Sequence, residues 1–261
     1  MKQIDFANQI VESLKLDHSV IGLAVTGSWI RNELDEYSDL DLILVTKNKI
    51  SGDKNKMLEY AGSFGQLLNG FTGEHVGEPR VLICLYDNPL LHVDIKFLTL
   101  DEFKQRIENP VILLDTDNQL QQIIAHTEPT FPYPDYQWIE DRFWIWIHYA
   151  LLKIGRGELL ETVDFLAYLR TTVFGPLLHI QNKRLPRGVR KAEMQFAKED
   201  LGKIIGTIPV YSSASLLNSV ENSVLLYKEL RTNLYASDIC LQKDTEKKVM
   251  QYFQEIIEKI S

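Results

Sequence analysis

The apolar/polar alternation that marks strands runs through the first half of this chain and stops at Glu128-Pro129-Thr130-Phe131-Pro132-Tyr133-Pro134. Prolines at 129, 132 and 134 stiffen the backbone and break both helix and sheet, so a domain boundary is expected here, with units at 1–130 and 131–261. Beyond the break, 138–154, 158–180, 191–205, 215–234 and 244–260 all carry helical periodicity, interrupted at Gly155-Arg156-Gly157, Leu185-Pro186-Arg187-Gly188 and 206–209. The expected class is α+β, a strand-bearing first unit followed by a helical bundle.

Within the first unit the stretch from Val25 to Val45 is the most informative. An apolar strand, 20–26, ends in Gly27-Ser28; a short polar segment follows with room for one or two helical turns; a second apolar strand then opens on Asp39-Leu40-Asp41. Strand side chains alternate faces, so Asp39 and Asp41 should point the same way, about 7 Å apart, while Leu40, Leu42 and Leu44 point into a core. Two carboxylates sharing a face repel unless a cation lies between them, and an all-oxygen set of this kind suits Mg2+. Gly27 and Ser28, at the turn, can present backbone N–H groups and a hydroxyl to a polyphosphate.

Further elements follow in order. An amphipathic helix is expected over 4–16 and another over 54–68, the latter after Ser51-Gly52-Asp53. Glycines 70, 73 and 77 with Pro79 predict a loop over 70–79 and a rim for a pocket. Strands are expected at 80–86 and 90–98, joined at Asp87-Asn88-Pro89. In the second of these, Leu91, Val93, Ile95 and Phe97 alternate with His92, Asp94 and Lys96, so Asp94 becomes a third carboxylate if this strand lies beside the one that carries Asp39 and Asp41. A capping signal at Thr99–Glu102, a short apolar strand or turn at 111–114 and a helix at 118–125 complete the unit.

The formal charge of -8 and the pI near 5.3 argue against a nucleic acid partner and favour a cationic one. The cysteines, Cys84 and Cys240, form no CxxC pair, which points away from disulfides or zinc and toward a reducing cytoplasm. The first sixteen residues do not read as a signal peptide, and no apolar run is long enough to span a bilayer.

Gly27-Ser28, then Asp39-Leu40-Asp41, then Asp94 in an alternating strand resemble the nucleotidyltransferase superfamily that includes DNA polymerase beta and the antibiotic nucleotidyltransferases. Arg31, Glu33 and Ser38 also fall where smaller bacterial members carry the same residue types, whereas Asn32 stands where many have glycine. The resemblance implies a mixed sheet with helices on one side. It implies two Mg2+ ions held by Asp39, Asp41 and Asp94, and a nucleoside triphosphate bound through Gly27, Ser28 and Arg31. The reaction implied is transfer of a nucleoside monophosphate, AMP from ATP, to a hydroxyl of a small molecule such as an aminoglycoside- or lincosamide-like antibiotic, with pyrophosphate leaving. Transfer to a protein hydroxyl and a non-catalytic nucleotide-binding role are the rivals.

Other features have plainer readings. Arg31 serves a phosphate or pairs with Asp35; Lys96 reads first as a surface lysine at a strand edge. Lys183, Arg184, Arg187, Arg190 and Lys191 read as a solvated inter-helix loop, and Glu158, Glu161 and Asp164 as a solvated helix face, with acceptor binding or base catalysis as the sharper alternatives. Trp138, Phe143, Trp144, Trp146 and Tyr149 read as core before they read as a stacking surface.

Overall fold

The structure is a computed structural model that describes residues 1–260. It divides into two compact units, Met1–Phe131 and Pro132–Ser261.

The first unit is built on a six-stranded mixed sheet. Its strands are β1 (Val20–Val25), β2 (Leu40–Thr46), β3 (Gln66–Gly73), β4 (Glu78–Asp87), β5 (Leu91–Leu98) and β6 (Val111–Asp115), in the spatial order β3-β4-β5-β2-β1-β6. Only β2 and β5 pair in parallel; every other neighbour pair is antiparallel. Helices α1 (Lys2–Leu14) and α2 (Lys54–Phe64) cover one face. Their Phe6, Ala7, Ile10, Leu14, Met57, Ala61 and Phe64 pack against Leu23, Leu42, Leu44, Val93, Ile95 and Phe97. This is the burial that the alternation in β2 and β5 requires, since only their odd or even positions can reach the helices. On the opposite face, α3 (Leu100–Phe103) and α4 (Gln119–His126) cover a smaller apolar patch made by Ile21, Ala24, Ile43, Val45 and Leu98. Thr99 and Glu102 close a reciprocal cap at the start of α3.

The expected loop over 70–79 is corrected. Residues 66–73 form β3, an edge strand paired along β4, and only Glu74–Gly77 make a tight turn. Gly73 marks a close approach of backbones: a β-carbon there would stand 2.8 Å from the carbonyl oxygen of Glu78. The helix expected over 54–68 accordingly ends at Phe64.

The second unit is helical throughout: α5 (Tyr136–Gly155), α6 (Leu159–Leu169), α7 (Gly175–Gln181), α8 (Ala192–Gln195), α9 (Lys198–Ile205), α10 (Ser213–Leu234) and α11 (Lys243–Ile260). A π-helical turn, Arg170–Phe174, joins α6 to α7, so the single helix expected over 158–180 is three segments. Phe143, Trp144, Ile147, Leu151, Leu166, Phe174, Leu178, Val220, Tyr227 and Phe253 belong to one apolar core. Glu140 is fully buried inside this core. It accepts hydrogen bonds from the Tyr227 hydroxyl at 2.5 Å, the Gln242 backbone N–H at 2.9 Å, and Trp144 Nε1 and Arg231 Nη1 at 3.3 Å each. Among the described residues no helix is long and apolar enough to cross a membrane.

Candidate active site

The parallel register of β2 and β5 sets Asp41 directly beside Asp94, and Leu40, Leu42 and Leu44 beside Val93, Ile95 and Phe97. Adjacent partners in a ladder share a face. The apolar members of both strands are claimed by the α1/α2 core, so the two carboxylates must stand together on the opposite face. Both residues are half-buried and line a cavity of about 330 Å³. Its walls include Thr26, Glu78, Arg80, Lys96, Phe103 and Glu108.

Gly27 completes the inner wall. Its φ of 66° lies in the left-handed region, and a β-carbon there would collide with the Asp41 carboxylate. The neighbouring Thr26 N–H donates to the Asp41 carbonyl at 3.0 Å, which fixes the turn against the strand. Ser28 then opens a single 3₁₀ turn, Trp29–Arg31, closed by Asn32 in the left-handed conformation at φ 55°. The Ser28 hydroxyl makes no hydrogen bond among the described residues. Asn32 tolerates this backbone better than most residues.

The remaining expected residues are placed as follows. Asp39 is half-buried and lies one residue outside β2, where no ladder bonds hold it to the alternation. Among the described residues no three His, Cys, Asp or Glu side chains are gathered as a metal-ligand group; Asp41 and Asp94 are neighbours in the ladder, and Asp39 precedes it. Arg31 is engaged by Glu108 at 2.8 Å and Glu33 at 3.5 Å. Asp35 instead organises its own turn, accepting from the Tyr37 N–H and the Ser38 hydroxyl. His92 Nε2 lies 2.9 Å from Asp94 Oδ1. Lys96 is not at a sheet edge, since β5 runs between β4 and β2, and its Nζ pairs with Glu78 at 2.7 Å.

The paired carboxylates fit Mg2+, which takes one or two protein carboxylates and fills its shell with water and phosphate oxygens. Gly27, lacking a β-carbon, leaves the Asp41 carboxylate room to stand on this face.

In the helical unit, Phe143 and Trp144 are core, while Trp138, Trp146 and Tyr149 are more exposed, with Trp138 and Trp146 in edge contact at 5.4 Å. Glu158 and Glu161 pair with Lys153 at 2.6 and 3.0 Å, Tyr149 donates to Glu161, and Asp164 is exposed. The basic residues 183–191 occupy the connection between α7 and α8. Sequence reasoning missed Glu78, Arg80 and the 103–108 wall. The wall is anchored by Arg106, which donates to Asn109 Oδ1 at 2.7 Å and to the Thr127 hydroxyl at 2.6 Å. A signal for the first two was available in Glu78-Pro79-Arg80, charges flanking the proline at the start of a strand.

Residues 7–116, which carry the sheet, the paired carboxylates and the glycine turn, match the nucleotidyltransferase domain family. Three solved structures are similar along nearly the whole chain. An aminoglycoside 6-adenyltransferase from Bacillus subtilis shares 15% identity over 98% of both chains, with a TM-score of 0.40. A nucleotidyltransferase-like protein from Exiguobacterium sibiricum shares 8% over 99% of this chain and 90% of its own, at 0.36. A spectinomycin adenyltransferase from Enterococcus faecialis, solved with ATP and spectinomycin, shares 11% over 98% of both chains, at 0.30. No curated protein sequence matches the chain.

Proposed function

We propose that this chain is a cytoplasmic enzyme that transfers AMP from Mg2+-bound ATP to a hydroxyl of a small molecule and releases pyrophosphate. The observation that supports it best is the in-register pair Asp41 and Asp94, set beside the glycine turn within a nucleotidyltransferase domain. Bound Mg2+ would lower the pKa of the acceptor hydroxyl and neutralise charge on the leaving pyrophosphate. Asp41 and Asp94 suffice for one ion, and a second needs Asp39 as a further carboxylate. The chain's own work is alignment. Gly27 lets the backbone approach the phosphates, the Ser28 hydroxyl donates to a phosphate oxygen, and Arg31 reaches one only by exchanging Glu108 or Glu33. The acceptor oxygen forms the new bond to the α-phosphorus while the α–β bridging P–O bond breaks, its electron pair leaving with pyrophosphate. We assign the hydroxyl proton to Asp94, the carboxylate beside Asp41 on this face.

The resemblance carries an antibiotic acceptor of aminoglycoside or lincosamide kind, so these compounds enter the first acceptor panel with labelled ATP, scored for a mass gain of one nucleotide. Asp41→Asn should cut Mg2+-dependent pyrophosphate release by about two orders of magnitude or more. Unchanged release would sink the metal assignment. In nucleotide-saturated protein, Mn2+ titration should show one fewer bound ion in Asp39→Asn than in wild type; equal stoichiometry removes Asp39 from the ligand set.

A further inference from the structure

A second charged cluster occupies the cavity beside the carboxylate pair. Glu78, at the start of β4, accepts Arg80 Nε and Nη2 at 2.7 Å each, a two-pronged pairing, and also accepts Lys96 Nζ of β5 at 2.7 Å. The Arg80 fork and then Lys96 hold the Glu78 carboxyl down to about 2, so it is ionised at any working pH. Two cations meet one anion in this triad, an excess of one positive charge, beside the carboxylates Asp41, Asp94 and Glu108 that line the same cavity. Glu78 does not use all their donors: Arg80 Nη1 and the other Lys96 N–H groups have no partner among the described residues. The Arg80 and Lys96 side chains are each 31% exposed, and with Glu78 they line the same cavity as Asp41 and Asp94.

Position decides what this corner can meet. Lys96 is two residues beyond Asp94 on the same face, roughly 7 Å along the strand. The Gly27 turn, which takes the triphosphate in the reading above, lies at the end of β1. The order β4-β5-β2-β1 puts three strand spacings of about 4.8 Å between β1 and β4, so the corner lies across Asp94 from that turn. A group bound at Arg80 and Lys96 therefore belongs to the other reactant. A single ion pair would have served to knit β4 to β5. A surplus cation with unused donors, fixed by a carboxylate and turned into a reaction cavity, is the arrangement that receives a carboxylate or phosphate.

We propose that Arg80 and Lys96, positioned by Glu78, form the subsite that binds an anionic group, carboxylate or phosphate, on the hydroxyl-bearing acceptor. This rests on the nucleotidyl-transfer reading and narrows its acceptor class: a polycationic acceptor would meet like charge here, whereas an anionic one would meet charge-assisted donors. It runs against the expectation drawn from net charge: the cavity also carries Asp41, Asp94 and Glu108, so the preference is set by where Arg80 and Lys96 stand and not by overall charge.

The test first establishes Mg2+-dependent binding of a non-hydrolysable ATP analogue to the wild-type protein by calorimetry; failure there defeats the nucleotidyl-transfer reading itself. The saturated protein is then titrated with glycerol 3-phosphate, glucose 6-phosphate and gluconate, and with glucose and kanamycin as neutral and cationic counterparts. Anionic probes should bind best. Lys96→Ala and Arg80→Ala should each weaken them about tenfold or more, leave the ATP analogue's affinity unchanged, and keep wild-type thermal stability within a few degrees. Lys96→Arg should restore much of the loss, and Lys96→Glu should turn the preference toward kanamycin. Nucleotide binding with no anionic probe bound overturns the proposal. So does equal binding in wild type and variants, which leaves the cluster a strand-to-strand ion pair. Weakened ATP-analogue binding in Arg80→Ala or Lys96→Ala also overturns it and gives the corner to the triphosphate.

Discussion

The tightest constraint in the candidate site falls on a residue with no side chain. Gly27 combines a left-handed backbone with a position where any β-carbon would strike the Asp41 carboxylate. Gly27→Ala is expected to cost about 1 kcal/mol of stability through backbone strain alone. The loss of activity should be larger than that cost explains, because the relaxation available is displacement of Asp41 from beside Asp94. Urea unfolding and pyrophosphate release measured on the same preparation separate the two effects; a fall in rate no greater than the fall in folded fraction would mean that the approach to Asp41 is incidental. Asp41 and Asp94 were legible in the sequence because strand periodicity alone fixes which face each occupies. Asp39 was legible only as chemistry. It stands before the first ladder bond of β2, so alternation does not dictate where its carboxylate goes.

At the level of elements, the sequence is clearest where burial is one-sided. β1, β2, β5 and α1 were readable because the α1/α2 core claims alternate residues of the strands and a 3.6-residue stripe of α1. β3 was misread because it is an edge strand whose side chains are largely exposed, so glycines that permit close backbone approach looked like loop glycines. The breaks in the helical half were blurred for a related reason: a π-helical turn keeps the chain helical and leaves the apolar periodicity almost intact. What periodicity cannot show is a polar group satisfied inside a core. Glu140 looks like one more charged helix residue in sequence, yet it is the acceptor that joins α5 to Tyr227 and Arg231 of α10 and to Gln242, immediately before α11. Glu140→Ala would leave Trp144 Nε1 without its acceptor and the Tyr227 hydroxyl with only the Tyr235 hydroxyl at 3.3 Å, while Arg231 keeps Glu246 at 2.9 Å. A destabilisation of about 3 kcal/mol is expected, read as a lowered urea midpoint of the helical unit, with Glu140→Gln costing less because it retains volume and an acceptor. Equal stability of the alanine variant would show that the network is dispensable.

Taken as a whole, the chain joins two units whose ionisable groups respond to acid over different ranges. In the first, Glu78 has its pKa lowered from 4.5 to about 2 by the Arg80 fork and Lys96, so the stability it contributes is present above pH 4.5 and is lost only as pH falls toward 2. In the second, His179 of α7 is fully buried, its ring 4.7 Å from that of Phe196. Burial, reinforced by the positive charges of Arg187 and Arg184, lowers its pKa below 6.5. The sign follows from proton counting. Below pH 6.5 the unfolded chain binds a proton at this position that the folded unit refuses, so folding stability declines with falling pH from 6.5 down through the lowered value. The helical unit should therefore begin to weaken on mild acidification, while the Glu78 contribution to the sheet unit is still complete. Three of the four tryptophans, Trp138, Trp144 and Trp146, lie in the helical unit, so urea unfolding followed by tryptophan fluorescence at pH 7.5, 6.5, 5.5 and 5.0 reports mainly on it. In His179→Gln the slope of stability against pH over this range should flatten, whatever the variant's absolute stability. An unchanged slope would place the acid-sensitive group elsewhere in the bundle.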